Sequence, residues 1–138
     1  GAFAYAKAHE AELGAHTLAI EADSGDGRAL GVRVLGGNDA RDAFVAVARL
    51  LGPDAPLDAA HAEGGADLIP LRAAGVPVLD VEQDETRYFD VHHTANDTFE
   101  KIVPEELDRA TAAFATIVYG AASVDGGFGR IPDERRRR

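Results

Sequence analysis

Short apolar runs alternating with helix-forming stretches constrain this chain more than any other feature. His16–Asp23, Leu30–Leu35 and Gly75–Val81 have the length and apolar content of strands. In the second run Leu30, Val32 and Val34 share one side. Helical spacing marks Ala2–Leu13, Ala40–Leu51, Leu68–Ala73 and a last stretch from Pro104 to about Tyr119 or Ala122. Phe44, Val45, Val47, Ala48 and Leu51 give one helix an apolar face, and Leu107, Ala110, Phe114, Ile117 and Val118 stripe the last. Strands interleaved with helices predict an α/β layer architecture. The turn Ser24-Gly25-Asp26-Gly27 is too short for a crossover, so the first two strands are expected to pair antiparallel in a mixed sheet.

The connections carry their own signals. Gly14 is a helix stop, Asn38 or Asp39 an N-cap, and Gly52-Pro53 an end signal. Asp54–Gly65 is rich in Ala, Pro and Gly and is expected to be irregular. Pro104 suits a first helical turn, and Glu105 and Glu106 suit its dipole. Asp125–Arg138 ends in four arginines and reads as a frayed tail or an appended tag. One domain is therefore expected over residues 1–122, with a flexible tail over 123–138.

Charge narrows the function. A formal net charge of −10 excludes a general binder of nucleic acid or anionic membrane, and suits cations. No apolar run approaches the roughly 20 residues of a membrane span. The chain has no cysteine, so any zinc site must use His, Asp or Glu.

The chemistry-bearing residues concentrate in Tyr88-Phe89-Asp90-Val91-His92-His93-Thr94-Ala95-Asn96-Asp97-Thr98. Asp23 stands at a strand end, where open α/β sheets gather ligands. On residues alone each has a plain alternative. Asp23 can close an Asx turn, Asp67 can cap the helix at 68–73, and His61, His92 and His93 can be solvated loop residues. Asp97 can order its own loop.

Four segments, taken in order, carry a resemblance. They are Ala19-Ile20-Glu21-Ala22-Asp23-Ser24-Gly25, Gly64-Gly65-Ala66-Asp67-Leu68, Gly75-Val76-Pro77-Val78 and His92-His93-Thr94-Ala95-Asn96-Asp97-Thr98. Over Gly1 to about Tyr119 the chain resembles the carboxypeptidase Q-like branch of the family twenty-eight zinc metallopeptidases, which includes bacterial leucyl aminopeptidases. The resemblance implies a three-layer α/β/α zinc-exopeptidase fold, present here as a partial domain. It implies two zinc ions, Asp23 on one and His93 on the other, and a peptide or dipeptide substrate. His92, Tyr88 and Phe89 would stand behind the ligands or line the side-chain pocket, with Asp97 and Asp67 nearby.

The family's His-x-Asp segment, bridging aspartate and Glu-Glu pair precede these motifs. Glu105-Glu106 follows the last histidine and is out of order. The chain is thus expected to be the C-terminal half of a catalytic domain with no catalytic base of its own. It would bind zinc weakly or not at all, hydrolyse nothing alone, need the missing N-terminal half as partner, and tend to self-associate. A secreted or periplasmic location is implied by the relatives. The alternatives are a non-catalytic binding or dimerisation module of the same fold, or an unrelated α/β domain.

Overall fold

The computed structural model describes residues 1–52, 55–59 and 61–136. In chain order the elements are helix α1 (Ala2–Ala8), strands β1 (Ala19–Glu21) and β2 (Ala29–Leu35), helix α2 (Arg41–Ala48), strand β3 (Leu57–Ala59), helix α3 (Ile69–Ala73), strand β4 (Val78–Gln83) and helix α4 (Pro104–Ser123). Pro53, Asp54, Ala60, Arg137 and Arg138, which belong to the expected helix stop, irregular segment and tail, lie outside the described residues. β3 forms inside the segment expected to be irregular, because β2 offers it a parallel edge at Val32–Val34.

The sheet is mixed, in the order β1-β4-β2-β3. β1 and β2 do run in opposite directions, yet they do not pair. β4 lies between them, parallel to β1 and antiparallel to β2. Its apolar residues explain the insertion: Val78, Leu79 and Val81 are all buried, so the strand belongs in the middle, covered on both faces. The turn after β1 is held over the end of β4. Gln83, buried itself, donates from Nε2 to the carbonyls of Gly25 (3.1 Å) and Gly27 (2.8 Å). A Cβ at Gly27 would run into the Asp84 carbonyl, so only glycine fits there.

Strand alternation sorts the core onto two faces. Val32, Val34, Leu79 and Val81 pack with Phe44 and Val47 of α2 and Ile117 of α4. Leu35, Val78 and Ala19 point the other way and join Leu13, Leu71 and Ile131. Helices α2 and α4 cover the first face; α1 and α3 meet over the second. This is the three-layer α/β/α arrangement.

On the second face a charged row crosses the sheet. Register places Glu21 beside Asp80, Asp80 beside Arg33, and Arg33 beside Asp58. The acids of the row hold the segment leading into α3. Asp58 binds His61 at 2.6 Å, Asp80 accepts the N–H groups of Glu63 (2.8 Å) and Gly64 (2.9 Å), and Glu21 accepts the N–H of Asp67 (3.0 Å). Gly64 and Gly65 have φ of 81° and 63°, and a Cβ at Gly65 would strike the Glu21 carboxylate. Asp67 does not cap α3. The N-cap is Leu68, with no side-chain cap bond.

Beyond α4 the chain packs back on the domain through Phe128 and Ile131. Phe128 stacks on Phe44 with ring centroids 4.5 Å apart, and both Phe128 and Ile131 are buried. The Ile131 N–H bonds the Gly75 carbonyl at 3.0 Å, and Arg130 donates to the carbonyls of Leu13 (2.7 Å) and Ala74 (2.6 Å). The segment expected as a loose tail therefore supplies core residues up to Ile131. Its glycine- and arginine-rich composition hid the two apolar anchors.

Two substitutions test this packing by urea denaturation. Phe128→Ala is expected to cost about 3–5 kcal/mol, the usual range for a buried Phe. An unchanged midpoint would show that the segment is only a tail. Asp80→Asn is expected to cost about 1–3 kcal/mol, since one of the two clamped N–H groups loses its acceptor.

Candidate functional site

β1 and β4 run parallel, so both deliver their following loops to the same edge of the sheet. The 23–27 turn, the 84–103 connection and the first turn of α4 enclose a cavity of about 970 Å³. Asp23, Tyr88, His92, His93 and Asp97 all line it. A smaller recess of about 360 Å³ shares Asp23 and Ser24 with it and is bordered by Glu21, Glu63 and Asp80. Asp67 lines neither; its backbone belongs to the clamp on Glu21. Phe89 is 70% exposed and stands edge-on to Tyr88 and His92 at 5.0 and 5.8 Å.

The histidine loop is ordered by its own polar groups. Thr94 donates its hydroxyl to the Val91 carbonyl (2.7 Å) and accepts the Asn96 N–H (3.2 Å). The Asp97 N–H then bonds the Thr94 carbonyl at 3.2 Å. The turn drives His93 to φ 56°, the only positive φ outside glycine among the described residues. Such a backbone is strained for a side chain with a Cβ and is found where neighbours over-determine it. The neighbours here are rings. Tyr88 lies 4.5 Å from His92, and His92 stacks on His93 at 3.8 Å. Tyr88 in turn packs on Gly25, where a Cβ would stand 3.3 Å from its ring.

The Tyr88 phenol reports the electrostatics. Desolvation raises its pKa, and the carboxylates of Asp23, Glu85 and Asp97 raise it further. The acid at the end of β1 and the acid of the distant histidine loop thus act on one ring.

One strap was not visible in the sequence. Asp26 accepts the N–H of Val103 at 2.6 Å, across 77 positions. Val103 is the N-cap of α4 and has no side-chain cap bond, so a carboxylate from the β1–β2 turn holds the helix start beside the cavity. An N-cap valine before Pro104 shows that a partner is needed without saying which.

Carboxylate and imidazole are donors that zinc accepts, and Asp23 and His93 supply one of each to the same cavity. Among the described residues, no three His, Asp or Glu side chains are gathered as a metal-holding group. The donors are of the right kind but too few for a closed site.

The model of "Peptidase family M28" matches residues 1–118. The chain belongs to peptidase family M28. Carboxypeptidase Q of Mus musculus is 31% identical over 125 residues, covering 91% of this chain but 27% of that protein. The Homo sapiens carboxypeptidase Q is 30% identical over 126 residues, covering 91% of this chain and 26% of its own length. The crystal structure of a peptidase M28 precursor from Shewanella amazonensis superimposes with a TM-score of 0.85 at 37% identity, over 96% of this chain and 30% of that one. The M28 chain therefore spans about a quarter of the length of the curated relatives it matches. No helix among its described residues is long and apolar enough to cross a membrane.

Two measurements probe the site geometry of this M28 chain. Asp23→Asn should lower the pKa of Tyr88 in an ultraviolet tyrosinate titration, because a raising charge is removed; no change would separate the two residues. His93→Ala should be less stable than His93→Gly by about 1–2 kcal/mol, since both lose the imidazole but only alanine keeps the left-handed strain. The reverse order would contradict the loop conformation.

Proposed function

We propose that this chain is the C-terminal part of the catalytic domain of a metal-dependent exopeptidase, with Asp23 and His93 each holding one of two zinc ions. The observation that supports it is that the two residues, far apart in the sequence, line one cavity: Asp23 just past β1, and His93 in the loop after β4. When bound, a zinc pair polarises the scissile carbonyl and lowers the pKa of a water.

The chain's own residues position and orient. Asp23 and His93 offer the donor atoms, the Tyr88–His92 stack fixes the His93 ring, and Thr94 and Asp97 order its loop. Asp97 is assigned to loop order, not to metal; Phe89 does not line the cavity, and its place is against the Tyr88 and His92 rings. The general base and the remaining ligands would come from the rest of the polypeptide, in keeping with relatives of which this chain covers 27% or less. That missing part would also cover the outer edge of β1, which has no strand partner among the described residues. In isolation a second copy would take its place, and a monomer at all concentrations in size-exclusion chromatography would count against this. Export of the parent protein belongs to the same reading; fractionation finding it only in the cytosol would remove that element.

Activity is the test. In the complete parent enzyme, Asp23→Ala and His93→Ala should each lower kcat/KM on a dipeptide at least about 100-fold and weaken zinc retention, since each removes a direct ligand. The isolated chain with added zinc should turn over nothing. Near-normal activity of both variants would refute the assignment. The lack of three gathered donors among the described residues favours a second reading, a non-catalytic binding or dimerisation module of the same fold. A parent protein that turns over no peptide with zinc present would support it.

A further inference from the structure

We propose that Gln83 is a positioning residue that sets the spacing between the two candidate zinc ligands, Asp23 and His93. The inference rests on the peptidase reading and adds a residue that acts only through others. Gln83 lines the smaller recess beside Asp23 and does not line the larger cavity. On the side of β4 that packs against α2 and α4, Leu79 and Val81 are buried, and Gln83 is next in that series. An apolar side chain would continue the pattern. A buried amide is costly unless its polar atoms find partners. Here Nε2 has two N–H donors, and the carbonyls of Gly25 (3.1 Å) and Gly27 (2.8 Å) accept them.

Both candidate ligands depend on this fork. The pairing of β1 with β4 reaches Glu21 and Asp80, short of Asp23. Past that pair the turn carrying Asp23 is fastened by side chains, Gln83 at Gly25 and Gly27 and Asp26 at Val103. Gly25 follows Asp23 closely in the chain and is thereby fixed to the last residue of β4. The same glycine is the seat of the Tyr88 ring, which a Cβ there would meet at 3.3 Å. Tyr88 lies 4.5 Å from His92, and His92 stacks on His93 at 3.8 Å. A shift of Gly25 therefore moves Asp23 through the backbone and His93 through the Tyr88 and His92 rings. Gln83 also ends the strand that feeds the histidine loop, so one side chain ties the two ligand-bearing loops where they leave the sheet. In the peptidase reading Asp23 and His93 hold different ions. Their separation then governs zinc retention and turnover, while the wall at the start of α4 stays in place to bind substrate.

The test uses the complete parent enzyme. Gln83→Met removes the donors and keeps an unbranched side chain, and Gln83→Glu turns a carboxylate toward two carbonyls. Zinc affinity is read by competition with a chelator and expressed per folded molecule. Both variants should lose about 10- to 100-fold in that affinity, the range for partners standing behind metal ligands. kcat on a dipeptide should fall with it while KM holds. Tyr88→Leu should also weaken zinc binding, and its combination with Gln83→Met should lose less than the sum, because both break one linkage. Full additivity would overturn the route through Gly25. Unchanged zinc affinity and kcat in folded Gln83→Met would reduce Gln83 to a structural residue and leave the peptidase reading intact. Where neither Gln83 variant folds, Gly25→Ala decides. It keeps the fork and presses on the Tyr88 ring, and it should show the same loss of zinc; unchanged affinity there would overturn the linkage. An unaltered parent that neither binds zinc nor hydrolyses a dipeptide would instead sink the peptidase reading, and this role with it.

Discussion

The cavity exists because β4 lies between β1 and β2. Two strands joined by so short a turn would ordinarily pair with each other. Here the turn instead spans the width of a third strand, tied to its end by Gln83 and by the close fit of Gly27. The insertion makes β1 and β4 parallel neighbours, and parallel neighbours send their exits to one edge. Asp23 and the histidine loop share that edge for this reason. Had β1 paired with β2, the same side chains would have no cause to meet.

A polar row across the second face fixes a different loop. Glu21, Asp80 and Asp58 commit their carboxylates to the segment between β3 and α3, through backbone N–H groups and His61. Bonds to a charged acceptor are stronger than neutral pairs, and these fix the backbone of a glycine-rich stretch whose Ala62 and Leu68 are anchored in the core. The Gly-Gly-Ala-Asp motif is thus explained by backbone approach. Gly65 leaves room for the Glu21 carboxylate, and Asp67 contributes an N–H, its side chain playing no part in that contact.

The histidine loop combines strain with support. A left-handed His93 is unfavourable by itself. It is held by hydrogen bonds around Thr94 on one side and by the Tyr88–His92 stack on the other. The support depends on Gly25 in the β1–β2 turn, so the two loops that carry the candidate ligands also hold each other. Asp26 extends the same linkage to the start of α4. A family member that spans a quarter of its relatives can in this way keep one wall of a site in shape.

Residue order was enough to establish the alternation of strands and helices, the apolar face of α2, and the ordered motifs that mark the family; on α4 Ala110, Phe114 and Ile117 turn inward as expected, whereas Leu107 and Val118 are exposed. These are local: period, turn residues and motif spacing depend on neighbours along the chain. Strand order was beyond its reach, because the short turn after β1 favoured a hairpin and β4 lay too far along the chain to be weighed. Phe128 and Ile131 are core anchors without a sequence signal, since a glycine- and arginine-rich stretch carries no periodicity. The sequence assigns Asp67 a capping role, yet the N-cap is Leu68 with no side-chain bond, and nothing in it signals the Asp26–Val103 bond. Those contacts join residues far apart in the chain or turn on side-chain direction. They were settled by the packed sheet, which fixes which loops share an edge.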